Sequence, residues 1–502
     1  MSDPVPPPIA GWPDERGLVD MGGEPWRIKD ACEGTFIFGG TGSGKTSGSG
    51  RALAHSFLAA GFGGLVLCAK PDEPALWRAY AAEAGRSTDL VMFRGGGPWG
   101  FNFMQYESLR PGAGAGLTEN LVNLFTEVSS IGSDDARGRG GDPFWDRAMK
   151  SLVRNCVDVL LMAGEPVSLH AMFDVIRSAP TDPASAALAS WRSRSGCWRR
   201  LETARSRARG KSWEIDCREV AGYWLTHFPT LGDKTRGSIV AMFSTLAEAL
   251  MRGTMRELFC EASTVSPEDV LGGRIVVVDL PVKEWSAVGR MAAVLWKYCL
   301  QKAVERRADN GDGRGRPVFL WADECQHFAS RYDSLFQATA RSSRAASVYL
   351  TQNYPSLVAA LGGEHGGKAL ADSLLGNMAT KIFHANSDRD TNQLAADLVG
   401  RRLQSLRNFG AAASLSLGAQ PSAGSSASRG RSESMDYEIQ PTEFSTLSKG
   451  GAENRYRTEA LVYENGRLWG ETGRTWKKVA FCQGPRAVEA PLPGRAMRPA
   501  PR

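Results

Sequence analysis

The hydrophobic pattern changes period along the chain. Residues 35–38, 65–69 and 90–93 are short apolar runs, of strand length and bounded by turn residues. Helical stretches lie between them, the first running to about residue 60. Apolar strands alternating with helices predict a parallel sheet covered on both faces. From about residue 104 to 266 long segments keep a 3.6-residue period, as over 147–163 and 237–250. These predict a mainly helical domain inserted into the α/β domain. Strands return at 274–280, 318–322, 347–351 and 380–384, with a helix over 287–307. Residues about 409–435 are Ala, Ser and Gly with little apolar bulk, which predicts a disordered loop. Apolar alternation over 460–469 flanks Asn465-Gly466, the pair a type I′ turn prefers, and predicts a hairpin.

The resulting division is an N-terminal extension (1–30) and the first part of an α/β domain (31–105). An inserted all-α domain follows (106–265), then the second part (266–408). A Ser/Ala-rich disordered loop (409–438), a last part with the hairpin (439–483) and a flexible tail (484–502) complete it.

Composition adds bounds. The 502 residues are 42% hydrophobic and 23% charged, enough to bury a large core, so a wholly disordered chain is excluded. Lys and Arg exceed Asp and Glu by 60 − 54 = 6, which permits an acidic partner without identifying one. Nine scattered cysteines without a CxxC pair, and six dispersed histidines, argue against a zinc site or a disulfide framework and fit a reducing compartment. The Pro-rich start lacks the apolar core of a signal peptide. No run approaches the ~20 apolar residues of a membrane span.

The chemistry begins after the first strand. Gly39-Gly40-Thr41-Gly42-Ser43-Gly44-Lys45-Thr46 fits G-x-x-x-x-G-K-[ST] at every fixed position and opens a helix. Glycines let backbone N–H groups converge on phosphates, and the helix N-terminus adds positive potential. Lys45 is expected to reach the β- and γ-phosphates of ATP, and Thr46 to ligate Mg²⁺. The strand at 318–322 delivers Asp323 and Glu324 to its C-terminal end, where α/β ligands bind. Asp323 is expected in the Mg²⁺ shell, and Glu324 to accept a proton from the attacking water. Gln352, after the strand at 347–351, either senses the γ-phosphate or orients water, or merely ends the strand. Ahead of that strand, Arg341 or Arg344 either reaches a neighbouring subunit's nucleotide or is a solvated helix end.

In this order the motifs resemble the type IV coupling proteins, the TraG/TraD-like conjugation ATPases related to FtsK and HerA translocases. Lys70-Pro71-Asp72 resembles the family's D-x-K-G segment, with departures at Ala69 and Pro71. Phe101-Asn102-Phe103 sits where the family has an Asn-Pro-Leu-like turn. Asp142-Pro143-Phe144-Trp145, with Ala148, resembles the F-W…A pattern that opens the inserted domain. The segments 321–326 and 341–353 are the most specific, and the resemblance spans about 32–479. It implies a RecA-like P-loop NTPase domain that assembles as a homo-hexamer and moves DNA, single-stranded or duplex. By position it makes Arg341 the arginine finger, with Arg344 as the fallback. It also implies a relaxase and type IV secretion components as partners. Typical members begin with a transmembrane pair that this chain lacks. The expectation is therefore a cytoplasmic protein, peripheral at the inner membrane only through a partner.

A basic stretch supports a nucleic-acid partner. Arg192, Arg194, Arg199, Arg200, Arg205, Arg207, Arg209 and Lys211 are interleaved with Trp191, Trp198 and Trp213. Such residues either neutralise phosphates and stack on bases or form a solvated helix face with Trp anchors. Arg429 and Arg431 are weaker candidates. The reading is an Mg²⁺-ATP-dependent DNA translocase of coupling-protein type, carrying DNA with an attached relaxase toward a type IV channel. The alternatives are a soluble FtsK/HerA-like motor in DNA processing or defence, and a platform for protein cargo.

Overall fold

The computed structural model describes residues 11–110, 114–132, 143–308, 315–363, 366–416 and 422–484. The predicted tail beyond Gly484 and the Asp142 end of the Phe144-Trp145 motif lie outside these residues. An N-terminal ribbon pairs β1 (Gly17–Asp20) with β2 (Pro25–Arg27). The sheet strands are β3 (Thr35–Phe38), β4 (Gly63–Leu67), β5 (Leu90–Phe93), β6 (Ile275–Val278), β7 (Val318–Ala322), β8 (Ala345–Thr351) and β9 (Thr380–His384). After a separate hairpin of β10 (Arg401–Ser416) and β11 (Ser422–Tyr437), β12 (Arg457–Glu464) and β13 (Trp476–Cys482) rejoin the sheet.

The sheet order is β13-β12-β9-β3-β8-β7-β4-β6-β5. The seven strands from β9 to β5 are parallel, and β12 and β13 alternate in direction beside them. Period-two alternation divides each strand between two cores. Phe36, Leu65, Val276, Leu320 and Phe383 face one, continuous with the helices between β5 and β6. Ile37, Val66, Val277, Phe319 and Ile382 face the other, under the helices Arg51–Ala59 and Glu73–Glu83 and the ribbon's Trp26. Gly64 is required by this second core, because a Cβ there would stand 2.0 Å from the Phe319 ring. Between β5 and β6 the chain runs through helices from Phe103–Leu109 to Pro267–Gly272, with no strand among the described residues.

Three expectations change. The apolar run at 65–69 pairs as β4 two residues earlier. The carbonyls of Cys68 and Ala69 instead accept from Val282 and Lys283 at the start of the helix Val282–Ala308. The Ser/Ala-rich stretch is not a disordered loop. Its residues pair from Arg401 opposite Tyr437 to Ser416 opposite Ser422. A two-stranded ribbon satisfies its backbone without a core, which composition does not measure. Tyr437 anchors its base, accepting from Arg401 at 2.7 Å and donating to Asp397 at 2.9 Å. The hairpin pairs β12 with β13 rather than lying within 460–469, and Asn465-Gly466 is no two-residue turn. Tyr463 pairs with Trp476, and only Gly466 of the pair has positive φ, whereas type I′ needs both.

Candidate nucleotide site

β3 is buried throughout and ends at Phe38, just before Gly39. The loop that follows stays tied to neighbouring strand ends: Gly39 N–H donates to Thr351 O and Gly40 N–H to Ala385 O. Gly44 has φ +87°, and a Cβ there would meet Thr458 at 2.7 Å. Only glycine fits both conditions. The following helix opens with a wide turn in which Gly50 N–H donates to Lys45 O at 2.8 Å. Behind the loop, Thr458 donates to Ser43 O at 2.7 Å, and Ser49 Oγ lies 2.7 Å from His384 Nε2. Burial holds the His384 imidazole neutral, its pKa pushed down to about 3.

β7 brings the carboxylates to the same edge. Thr46 Oγ1 donates to Asp323 Oδ2 at 2.8 Å. Lys45 Nζ lies 3.7 Å from Glu324 Oε1, and Gln352 donates to that oxygen at 3.2 Å. Gln326 donates to the other oxygen, Oε2, at 3.0 Å. Glu324 is left-handed, at φ 51° and ψ 50°, a conformation that non-glycine residues adopt at some cost. Burial pushes its carboxyl up, but Lys45, Gln326 and Lys70 outweigh it and bring the pKa down to about 2. Thr46 and Asp323 supply adjacent hard oxygens, the donor set Mg²⁺ takes.

Lys70 was legible only as part of a motif, and its place in the site was not. Its Nζ lies 3.4 Å from Asp323 Oδ2 and 3.0 Å from Glu324 Oε1. β4 is the direct neighbour of β7, so a lysine three residues beyond β4 reaches the carboxylates. Knowing the strand order would have found it. Nearby Glu73 accepts from Ala69 N–H at 2.8 Å. Burial, then Asp323, raises its pKa to about 8.

Residues 317–447 match the family described as the TraM recognition site of TraD and TraG. The bacterial conjugative coupling protein TrwBdeltaN70, in its unbound form, superposes with a TM-score of 0.60 at 15% identity, covering 95% of this chain and 92% of that one. The plasmid coupling protein TrwB with the ATP analogue ADPNP gives 0.57, and TrwB with ADP and Mg²⁺ gives 0.56. Each is 14% identical over the same 95% and 92%. The chain has the fold of a conjugative coupling protein. No curated protein matches it by sequence. The coupling-protein fold is a RecA-like P-loop NTPase, and here β8, carrying Gln352, stands between the phosphate-loop strand β3 and the carboxylate strand β7.

On this fold Arg341 stands apart from the chain's own candidate nucleotide site. It precedes β8, whereas Gln352 follows it, and seven extended residues span about 23 Å. Its side chain is 69% exposed and pairs with Glu33 at 2.9 Å. It lines an open cavity of about 770 Å³ with Gln337, Asn377 and Arg467. Arg344 fails as the fallback finger. It is buried, with φ 54°, bonds the Trp12 carbonyl and pairs with Asp14 at 3.4 Å.

The basic stretch is divided. Arg200 leaves the candidate set, because it is buried and paired with Glu165 at 2.8 Å and with Asp174. Arg192, Arg194, Arg199, Arg205, Arg207, Arg209 and Lys211 are exposed. Arg192 lies over the Trp198 ring at 4.2 Å. The Trp191 and Trp213 indoles donate to Ser178 O and Ala204 O, so these rings anchor helices. Of Arg429 and Arg431 only the backbone pairing is described, opposite Phe409 and Arg407. Among the described residues no helix is long and apolar enough to cross a membrane, and no cluster of His, Cys, Asp and Glu has metal-site geometry.

Proposed function

We propose that the protein is an Mg²⁺-ATP-dependent DNA translocase of coupling-protein type. The convergence of Lys45, Thr46, Asp323, Glu324 and Gln352 on one sheet edge carries this reading. Lys45 and the loop amides of residues 39–46 would bind the phosphates. Thr46 and Asp323 would hold Mg²⁺, which supplies charge neutralisation for the transferred phosphoryl group. Glu324 would take a proton from the attacking water, oriented by Gln352. Arg341, exposed at the far end of β8, would reach the nucleotide of the next subunit in a homo-hexamer. The likeness to TraD and TraG over 317–447 supports a TraM-like protein as partner, with relaxase-linked DNA and a type IV channel as its setting. The exposed basic residues between 192 and 211 would guide single-stranded or duplex DNA.

The test is ATP hydrolysis by the purified chain without DNA, with single-stranded DNA and with duplex DNA, at stepped salt, with Glu324→Gln as blank. Turnover stimulated by DNA, weakening as salt rises and lost in the variant, is expected. Robust turnover indifferent to DNA would overturn the translocase reading in favour of protein cargo.

A further inference from the structure

Two ammonium groups converge on the carboxylates of the nucleotide site, and phosphate binding explains only one. Lys45 belongs to the phosphate loop. Lys70 comes from the other side, off the end of β4. It meets the same Asp323 oxygen that accepts from Thr46, at 3.4 Å. It also meets the Glu324 oxygen that accepts from Gln352, at 3.0 Å. A divalent cation held by Thr46 and Asp323 would use that same Oδ2. Two cations within a few ångströms on one oxygen repel strongly in a half-buried site.

Resting on the nucleotide-site reading above, we propose that Lys70 is an internal counter-cation for Asp323 and Glu324 that competes with the divalent metal, so that metal enters the site only together with a nucleotide. The charge balance gives the reason. Lys45 and Lys70 against Asp323 and Glu324 sum to zero. A bare dication raises the site to +2, whereas a dication carried by ADP or ATP arrives with a net negative charge. Nucleotide therefore supplies the compensating negative charge, and Lys70 yields Oδ2 as the complex docks. Metal-free filling by the lysine keeps the buried carboxylates neutralised between turnovers. Lys70 is thus a positioning residue that sets the order of loading.

The experiment measures Mn²⁺ binding to the full chain by the loss of free-ion paramagnetic signal, with and without ADP. Lys70→Met removes the charge and keeps the length, and it should bind Mn²⁺ without nucleotide at least about tenfold tighter than wild type. Lys70→Arg keeps the charge and should stay as weak as wild type, which a merely structural role would not predict. ADP should tighten Mn²⁺ binding more in wild type than in Lys70→Met. Lys70→Gln carries the same test should the methionine variant not fold. Equal Mn²⁺ affinity of the wild-type and charge-removed chains, with Asp323→Asn still weakening binding in ADP, overturns the inference and leaves the metal site standing. If Asp323→Asn has no effect even with ADP, the metal site itself is misplaced and the inference falls with it.

Discussion

Glu324→Gln should abolish hydrolysis while sparing nucleotide binding, and the geometry gives the size of the effect. A positioned general base contributes roughly 10²- to 10⁴-fold, so turnover should fall by at least about a hundredfold, or ~2.7 kcal/mol of barrier. The amide brings a second penalty. Glu324 accepts on both oxygens, from Gln352 at 3.2 Å and Gln326 at 3.0 Å. Gln326 cannot simply turn over, because its own oxygen accepts from Thr351 at 2.9 Å. A glutamine therefore loses about one hydrogen bond, ~1 kcal/mol, without touching the phosphate-loop amides. Lys45, Lys70 and Gln326 keep the wild-type carboxyl near 2 against the effect of burial. It stays ionised throughout pH 5–8, and no acid limb in that range belongs to it. The assay is phosphate release with saturating duplex DNA, beside the affinity for a fluorescent ATP analogue. Turnover within about threefold of wild type would refute the assignment of Glu324 as base.

Three further outcomes follow from other residues. The pKa of His384 is held by burial at about 3, below its unfolded value near 6.5, so the unfolded chain binds the extra proton. Stability should be full above pH ~6.5 and fall by ~1.4 kcal/mol per unit from there toward 3, and denaturant midpoints of His384→Asn should show a flatter acid limb. Lys297 and Asp333 are each 1% exposed and pair at 2.5 Å. Lys297→Met should destabilise by about 3–5 kcal/mol by leaving the acid buried without its counter-cation; a cost under ~1 kcal/mol would contradict this. In the basic stretch, Arg205→Ala and Arg209→Ala should each weaken DNA binding and lower the salt slope by about one, whereas Arg200→Ala should act through thermal stability, read by calorimetry.

The phosphate loop, the Asp-Glu pair and the alternation of strand and helix were legible because each is local. Lys45, Thr46, Asp323 and Glu324 announce themselves by spacing next to apolar strands. What escaped depends on strand order. Lys70 matters because β4 lies beside β7, and Thr458 because β12 runs antiparallel and so starts at the nucleotide edge. Neither adjacency is written in a local window. Charge runs mislead for a related reason. Arg200 reads like its neighbours in sequence, yet its helix turns it toward Glu165 and Asp174. The Ser/Ala-rich hairpin escaped because its pairing lies in the backbone, whereas the pattern of apolar side chains reports only on cores.

β13 ends beside the helix that begins at the phosphate loop, where Gln483 donates to Ser47 Oγ at 2.8 Å. The residue before it, Cys482, is exposed, while the other eight thiols are buried or half-buried. Cys482 is thus the most accessible of the nine thiols, one residue from a contact with the helix that follows the candidate phosphate loop. A maleimide fluorophore attached there would sit close enough to register ATP arrival and ADP departure in an otherwise unaltered chain. The timing of the proposed ATP cycle could then be followed in light rather than inferred from released phosphate.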